Sequence, residues 1–558
     1  MDQIVIKRSL LEVLTSYAET EANNVHHGFW IPVERRFSVI SYGQLSLQAF
    51  SLAKHLRTHE GCKPGDGTLI AAATPKIALL SFFATIINGS IPIIVPAGVV
   101  RGRDRAVTEA RALLASTRRT LVISDRKAGD ASDQVRVDDA LINQIFDPDV
   151  ALDCFAAEGT AYIQLSSATT GTPKGVGISH RNLVANVYGI RESGRCGSNE
   201  AGVSWLPLYH DMGLVGAEMF CFMNGYSLHT MTPFDYIKDP ARWLQTISDV
   251  RATLSVSPNF GYAYAANNIK DQDIVSMELS SWRRAFNGAE PISPTVIAKF
   301  TQKFGPAGFR EETFVPCYGL AESTLAVTVN PDISRGYVRG FLKRSLVRDH
   351  PVVTTDRPTM SIDLEDTKQL YSVSCGSALD GTEISIRSES GGVLPAGSLG
   401  EIYVSGVSVA FEVDISGIRE FDEAVPSGDL GVLIEDELYI LDRIKNIVIR
   451  NGRNYAIAPF EEEVAQLHQI EAERVAIFEL SHSQGRSERD VVALIELVDG
   501  CIDDLDLAKI RAIEFPLSHL AYVRPNSIPK TTSGKKRHFL CRELFEKGSL
   551  QVERIFSI

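Results

Sequence analysis

An α/β fold in two unequal parts is what the sequence predicts. Three observations carry the prediction. Apolar, β-rich runs alternate with helical stretches as far as Pro331. Beyond it the rhythm changes to short strands joined by turns. A new helical pattern, "APFEEEVAQLHQI", then opens a C-terminal unit of roughly a hundred residues, a usual domain size. The chain has 558 residues, too many for one compact core.

The elements follow in order. "MDQIVIKRSLLEVLTSYAE" has neither a long apolar core nor a small-residue cleavage site. It reads as a short strand or an amphipathic helix, not a signal peptide. "TLIAAA" reads as a strand. From Ile77 to Val100 there is no charge, a length that would span a bilayer. Asn88, Gly89, Pro92 and Pro96 interrupt it, so the expectation is a buried helix from Ala78 to Ile87, a turn, and a buried strand from Ile91 to Val95, with no transmembrane span. "RDRAVTEARALLAS" reads as a helix and "TLVIS" as a strand. This βαβ rhythm implies a parallel sheet with covering helices, and it recurs at "TLSVSP" and "FVPCYG". Residues 331–370 mix charges and prolines without periodicity, as an inserted element would. "GTEISIRS", "GEIYVSG" and "ELYILDRIKNIVIRNGRN" read as short strands, the last closing the large region. "RVAIFEL" and "VVALIELV" supply strands to the C-terminal unit. The expected boundaries are 1–442 and 443–558.

Composition narrows the function. Hydrophobic content of 44% and charged content of 22% are ordinary for a soluble globular protein. A net charge of -13 argues against a general nucleic-acid-binding role. Small anionic ligands stay possible, because they answer to local charge. The 8 cysteines are scattered without a C-x-x-C pair. That argues against a disulfide framework or zinc knuckle and favours the reduced cytoplasm.

The chemistry gathers in a few motifs. "LSSATTGTPKGVGISH" (165–180) has the makeup of a phosphate cradle: hydroxyls that donate, glycines that let backbone N–H groups approach, and Lys174 for charge. The Walker A spacing is absent. "SWLPLYHDMGLVG" sets Tyr209, His210 and Asp211 between apolar runs. "FNGAEPIS" and "VPCYGLAEST" each follow a strand with a glycine turn and a carboxylate, Glu290 and Glu322. Each motif has a plainer reading alone. Glu322 would be a helix cap, "SGDLG" a turn with Asp429 at its tip, "LDRIKNIVIRNGRN" an exposed basic hairpin, and "PKTTSGKKRH" a basic tail.

Together and in this order the motifs resemble the adenylate-forming superfamily, and most closely its fatty acyl-AMP ligases. "WLPLYHDMGLVG", "SPNFGYAYA", "FNGAEPISPTVIAKFTQKFGPAGF", "FVPCYGLAEST" and "VSCGSALDG" are similar to that branch, and the similarity runs through essentially the whole chain. The resemblance implies a large adenylating domain with a small β-barrel-like subdomain, and a small mobile α+β domain. It implies ATP and Mg2+, a carboxylic acid substrate, and transfer of the acyl group to an acyl carrier protein. Coenzyme A, an amine or another small nucleophile is the alternative acceptor, and a silent acyl-binding homologue the alternative role.

By the same resemblance, Ser167, Thr169, Thr170, Gly171 and Lys174 would wrap the ATP phosphates, with Ala168 standing where glycine is usual. Gly288, Ala289, Glu290, Tyr318 and Gly319 would wall the adenine. Asp429, assisted by Arg443, would hold the ribose, and Glu322 the metal. Lys535 would be the mobile catalytic lysine, His210 the neighbour of the acyl carboxylate, and Lys445 the hinge. Tyr209, Met212, Asn259, Phe260 and Tyr262 would line the acid pocket. Three further departures from the family pattern stand out. Residues 409–423 lack its Gly-Tyr-Trp, Asp442 replaces a glycine, and Asn446 replaces an aspartate. Arg524, Lys530, Lys536 and Arg537 are candidates for a basic patch facing an acidic carrier.

Overall fold

The computed structural model describes residues 8–20, 24–97, 103–115, 117–126, 133–155, 159–165, 174–355, 357–360, 368–414, 417–421, 423–450, 453–468, 470, 472–481, 489–496, 510, 515–530 and 536–558. A nine-stranded sheet organises the first part. Its order is Ser377–Ala378, Ala326–Val329, Phe314–Gly319, Arg284–Gly288, Leu254–Pro258, Ala201–Ser204, Ser227–Thr230, His26–Ile31 and Arg36–Ser41. The strands from Phe314–Gly319 to His26–Ile31 run parallel, and both edges are closed by antiparallel pairing. A second, all-parallel sheet joins Ile91–Ile94, Gly67–Ile70, Thr120–Ser124 and Gln134–Arg136. These are the sheets the βαβ rhythm predicts, because crossover helices must cover both faces of a parallel sheet.

Residues 1–7 of the N-terminal stretch lie outside the described residues, and the rest holds a helix, Leu10–Thr20, which buries Leu10, Val13, Leu14 and Ala18. That spacing puts one apolar stripe on one helix face, and each buried Leu or Val in it contributes about 1.5–3 kcal/mol. The uncharged stretch after Ile77 folds as a buried helix, Pro75–Ile87, with Pro75 in its first turn and Ile77 through Ile87 all buried. Gly89 takes φ 66° to make the turn, and Ile91–Ile94 then pairs with Gly67–Ile70. Among the described residues no helix is long and apolar enough to cross a membrane.

Two expectations need correction, and a third takes definite form. Residues 331–370 are not irregular throughout: Val338–Leu342 pairs antiparallel with Gln369–Val373. Arg339 hid this strand in the sequence. It is 2% exposed, with Nη2 3.1 Å from Glu435 Oε2 and its guanidinium over the Tyr439 ring, so a buried charge broke the apolar pattern. The "SGDLG" turn lies inside a strand, Val425–Ile434, where Gly428 at φ 72° supplies the bend. The barrel-like subdomain is an open four-stranded antiparallel sheet, Thr382–Arg387, Gly400–Gly406, Val425–Ile434 and Glu437–Arg443, and no closed barrel occurs among the described residues.

The C-terminal part has its own sheet, in the order Val475–Glu479, Val491–Glu496, His519–Val523 and Val552–Ser557. Alternate residues serve two cores. Val475, Ile477, Ala493 and Ile495 pack with Phe460 and Val464 of the helix Ile457–Leu467. Ala476, Phe478, Val492 and Leu494 pack with Cys541 of the helix His538–Glu546. Coverage on both faces explains why these strands read as unbroken apolar runs.

Candidate active site

The carboxyl ends of the parallel strands Leu254–Pro258, Arg284–Gly288 and Phe314–Gly319 open into one cavity of about 750 Å3. Ligands of open α/β sheets bind at such ends. Local backbone shapes its walls. After Arg284–Gly288 the chain turns through Ala289 at φ 67°, a conformation that costs a non-glycine residue about 1–3 kcal/mol. The turn brings Glu290 back, and its Oε1 accepts the Phe260 N–H at 2.6 Å. Gly288 has no room for a Cβ, which would lie 2.7 Å from the Cys317 carbonyl oxygen. Gly319 is tighter still, with a Cβ falling 1.8 Å from the Leu325 carbonyl oxygen. The Leu320 N–H donates to that same oxygen at 2.8 Å, which closes the short loop carrying Glu322.

The polar groups converge as the antiparallel sheet dictates. Asp429 and Arg443 are direct cross-strand partners, with Arg443 Nε 3.3 Å from Asp429 Oδ1. The Tyr318 hydroxyl donates to Asp429 Oδ2 at 2.7 Å. Burial, and then the Asp429 charge, push the Tyr318 phenol well above its ordinary pKa, so it stays a donor. Asp211 Oδ1 lies 2.6 Å from His210 Nδ1 and accepts the Met212 N–H at 2.7 Å. The Met212 N–H also lies 3.3 Å from His210 Nδ1, so carboxylate and backbone together hold the imidazole in place. Burial raises the Glu322 carboxyl above its usual pKa, and Asp211 and Asp429 add to the effect. Burial likewise raises Glu462 and takes Asp442 up to about 6.

Tyr209, His210, Met212, Lys174, Ala289, Glu290, Tyr318, Gly319, Glu322, Asp429, Arg443 and Lys445 all line this cavity. Gly288, Asn259 and Phe260 stand behind the wall: Gly288 packs on Cys317, and Asn259 Oδ1 accepts the Ser293 N–H at 3.2 Å. Tyr262 does not reach the cavity, contrary to expectation. It is fully buried among Trp243, Trp282, Phe300 and Phe314, and its hydroxyl donates to the Phe286 carbonyl. Ser167, Ala168, Thr169, Thr170, Gly171 and Lys535 lie outside the described residues. Lys536 departs from the basic patch expected of it. It is tied to the buried Glu461 and donates to the Val475 carbonyl. Lys174 lies 2.7 Å from Glu412, inside the segment that lacks Gly-Tyr-Trp.

Sequence reading gave Asp211 no role of its own and missed Ser427, Glu462 and an apolar wall of Ile190, Gly216, Val256, Phe286 and Leu325. Ser427 opens the SGDLG motif already singled out. The apolar wall carries no signal that separates it from ordinary core.

Glu322 suits a magnesium ion by its surroundings. It is a half-buried carboxylate whose ionisation is opposed by its partial burial and then by two neighbouring acids, and a cation relieves that opposition. Among the described residues no group of three or more His, Cys, Asp or Glu could hold a metal. Magnesium is commonly held by one or two carboxylates together with phosphates.

Over 428 residues the chain is 32% identical to the medium-chain-fatty-acid–[acyl-carrier-protein] ligase TtuA of Teredinibacter turnerae, a match covering 71% of this chain and 65% of that one. It is 30% identical over 416 residues to the like-named ligase JamA of Moorena producens, covering 70% and 68%. A structure solved among the fatty acyl-adenylate ligases of E. coli and L. pneumophila superposes with a TM-score of 0.80 at 28% identity, over 97% of this chain and 98% of that one. The AMP-binding enzyme model matches residues 20–411. The chain therefore belongs to the family of AMP-binding enzymes.

Proposed function

We propose that this chain joins a fatty acid to AMP, with release of pyrophosphate, and then passes the acyl group to the phosphopantetheine thiol of a carrier protein. The observation that carries this reading is the convergence of Tyr318, Asp429 and Arg443 with Glu322 and His210 on one cavity. The ligase names of TtuA and JamA support the acid and the carrier.

In the first step a carboxylate oxygen attacks the α-phosphorus of ATP. The bond to the bridging oxygen breaks, and its electron pair leaves with pyrophosphate. No general base is needed, so catalysis rests on positioning and charge. Tyr318 and Ala289 hold the adenine, Asp429 accepts a ribose hydroxyl, and His210 orients the acid. Lys174, with Ser167, Thr169, Thr170 and Gly171, holds the phosphates. Glu322 is the residue that would hold Mg2+, which when bound supplies positive charge to the phosphate oxygens. Lys535 lends an ammonium to the same charge. In the second step the thiol sulfur attacks the acyl carbon, the acyl–phosphate C–O bond breaks, AMP leaves, and the thiol proton passes to solvent.

The two steps need different faces of the acyl group open. Residues 443–558 therefore rotate as a small domain about Lys445, against residues 1–442. Lys343 in the 331–370 segment lies 2.9 Å from Glu463, with its ammonium over the Phe460 ring. This tie joins the segment to the C-terminal part, and the ligase names of TtuA and JamA favour a carrier over coenzyme A. The setting is the cytoplasm, where ATP and reduced thiols are plentiful. The test is pyrophosphate release across straight-chain, hydroxylated, amino and aryl acids, followed by transfer assays with a phosphopantetheinylated carrier and with coenzyme A. Fatty-acid-dependent release and carrier loading support the reading. Release with no acid, or transfer to coenzyme A alone, overturns it.

A further inference from the structure

A carboxylate bridges the two parts of the chain at the point where they join. Asp442 belongs to the strand Glu437–Arg443 of the large part. Its Oδ2 accepts the Ala458 N–H at 2.8 Å, in the first turn of the helix Ile457–Leu467. Its Oδ1 accepts the Arg443 N–H at 2.7 Å and lies 3.3 Å from Asn446 Nδ2. The side chain is 2% exposed.

The first-turn N–H groups of any helix lack partners within it, and Ser, Thr, Asp or Asn just before the helix normally supplies one. Here residue 456 is alanine, so the sequence offers no local cap. Asp442 supplies the missing acceptor from another element, and its charge suits the positive end of the helix. The same helix carries Glu461, which binds Lys536 and His538, the residues that follow Lys535. It also carries Glu462 and Glu463, bonded to Ser293 and Lys343 of the large part.

We infer that Asp442 is a positioning residue, which caps the small domain's first helix from the large domain, holds that helix with Ala458 and Glu462 on the cavity, and thereby favours the adenylating orientation. The inference rests on the proposed rotation about Lys445. A rotation that carries Ala458 away must break this bond, so the cap biases the equilibrium between the two states. The glycine that stands here in the resembled pattern has no carboxylate with which to do this.

The test separates the half-reactions. Single-turnover adenylation is timed with ATP, Mg2+ and a fatty acid that the unaltered enzyme turns over. Transfer is timed from purified acyl-adenylate to a phosphopantetheinylated carrier. Asp442→Gly is expected to slow adenylation about tenfold, the factor for one charge-assisted hydrogen bond, with KM for both substrates unchanged and transfer unslowed. Asp442→Asn keeps the side-chain volume and one acceptor, and is expected to fall between. A readout besides activity is the yield of a short bis-maleimide cross-link between the two parts at the paired substitutions Lys343→Cys and Glu463→Cys. That yield should drop when Asp442→Gly is added. Equal slowing of both half-reactions, or adenylation and cross-linking unchanged in both variants, overturns the inference. An unaltered enzyme that forms no acyl-adenylate would instead overturn the proposed function.

Discussion

Glu461→Gln removes the charge around which the C-terminal part is pinned. Glu461 Oε1 accepts the Ile477 N–H at 2.7 Å and lies 2.7 Å from His538 Nε2. Oε2 receives the Lys536 ammonium, which also donates to the Val475 carbonyl at 2.8 Å. The side chains of Glu461 and Lys536 are 2% and 15% exposed. Burial alone would raise the Glu461 carboxyl, but Lys536 and His538 outweigh it and hold the pKa below the ordinary value. Removing one partner of such a pair strands the other charge, at a cost of about 3–5 kcal/mol. In a unit of about 100 residues each kcal/mol moves the midpoint by roughly 4–8 °C. Calorimetry at neutral pH should therefore show the C-terminal transition lowered by roughly 12–40 °C. Replacing both partners, Glu461→Leu with Lys536→Met, should recover most of the loss. The sign with pH follows from the depressed pKa. The pair's stabilisation is full above the unfolded carboxylate value and is lost as pH falls through the folded one, so the gap between wild type and Glu461→Gln narrows in acid. A single variant within about 1 kcal/mol of wild type, well short of the cost of a stranded charge, refutes the reasoning. So does a double variant as damaged as the single.

Three further outcomes are expected. Lys535→Ala lowers the adenylation rate by on the order of 10² to 10³ in stopped-flow pyrophosphate detection, while transfer from preformed acyl-adenylate continues. Asp429→Ala removes the acceptor of the Tyr318 hydroxyl and the partner of Arg443, and should raise KM for ATP by about 10- to 100-fold, the worth of one or two hydrogen bonds to a charged group, with KM for the acid unchanged. Glu322 has a raised folded pKa, so its ionisation weakens the fold at neutral pH and that penalty fades as pH falls through the raised value. Glu322→Gln should therefore melt higher than wild type at neutral pH, with the difference shrinking in acid, and should lose any Mg2+-dependent rise in Tm that wild type shows with ATP.

The legibility of this protein follows from what each residue faces. Elements that bury a whole stripe or face were readable: Leu10, Val13, Leu14 and Ala18 on one helix, or the doubly covered strand Val491–Glu496. Turns demanded by sterics were readable too, since Gly319 stands where a Cβ would strike Leu325. Arg339 shows the opposite case, a buried charge that disguises a strand by satisfying itself on Glu435 and Tyr439. In the site, residues with rare chemistry at motif positions, such as Tyr318, Glu322, Asp429 and Arg443, stood out in the sequence and line one cavity. Tyr262 was misplaced because an aromatic near a motif looks the same whether it faces a cavity or the ring cluster of Trp243 and Phe300. Glu462 was hidden because its helix neighbours Glu461 and Glu463 make it read as part of a solvated acidic run, whereas burial raises its carboxyl and Ser293 donates to it.

The central claim is that this cavity forms an acyl-adenylate. Mass spectrometry of a quenched single turnover, with enzyme in excess over ATP and a fatty acid, addresses it most directly. The account predicts an enzyme-bound species with the mass of the acid joined to AMP, one pyrophosphate per ATP consumed, and little of either with Lys535→Ala. ATP split to ADP and phosphate, or the mixed anhydride formed equally well by Lys535→Ala, would contradict it.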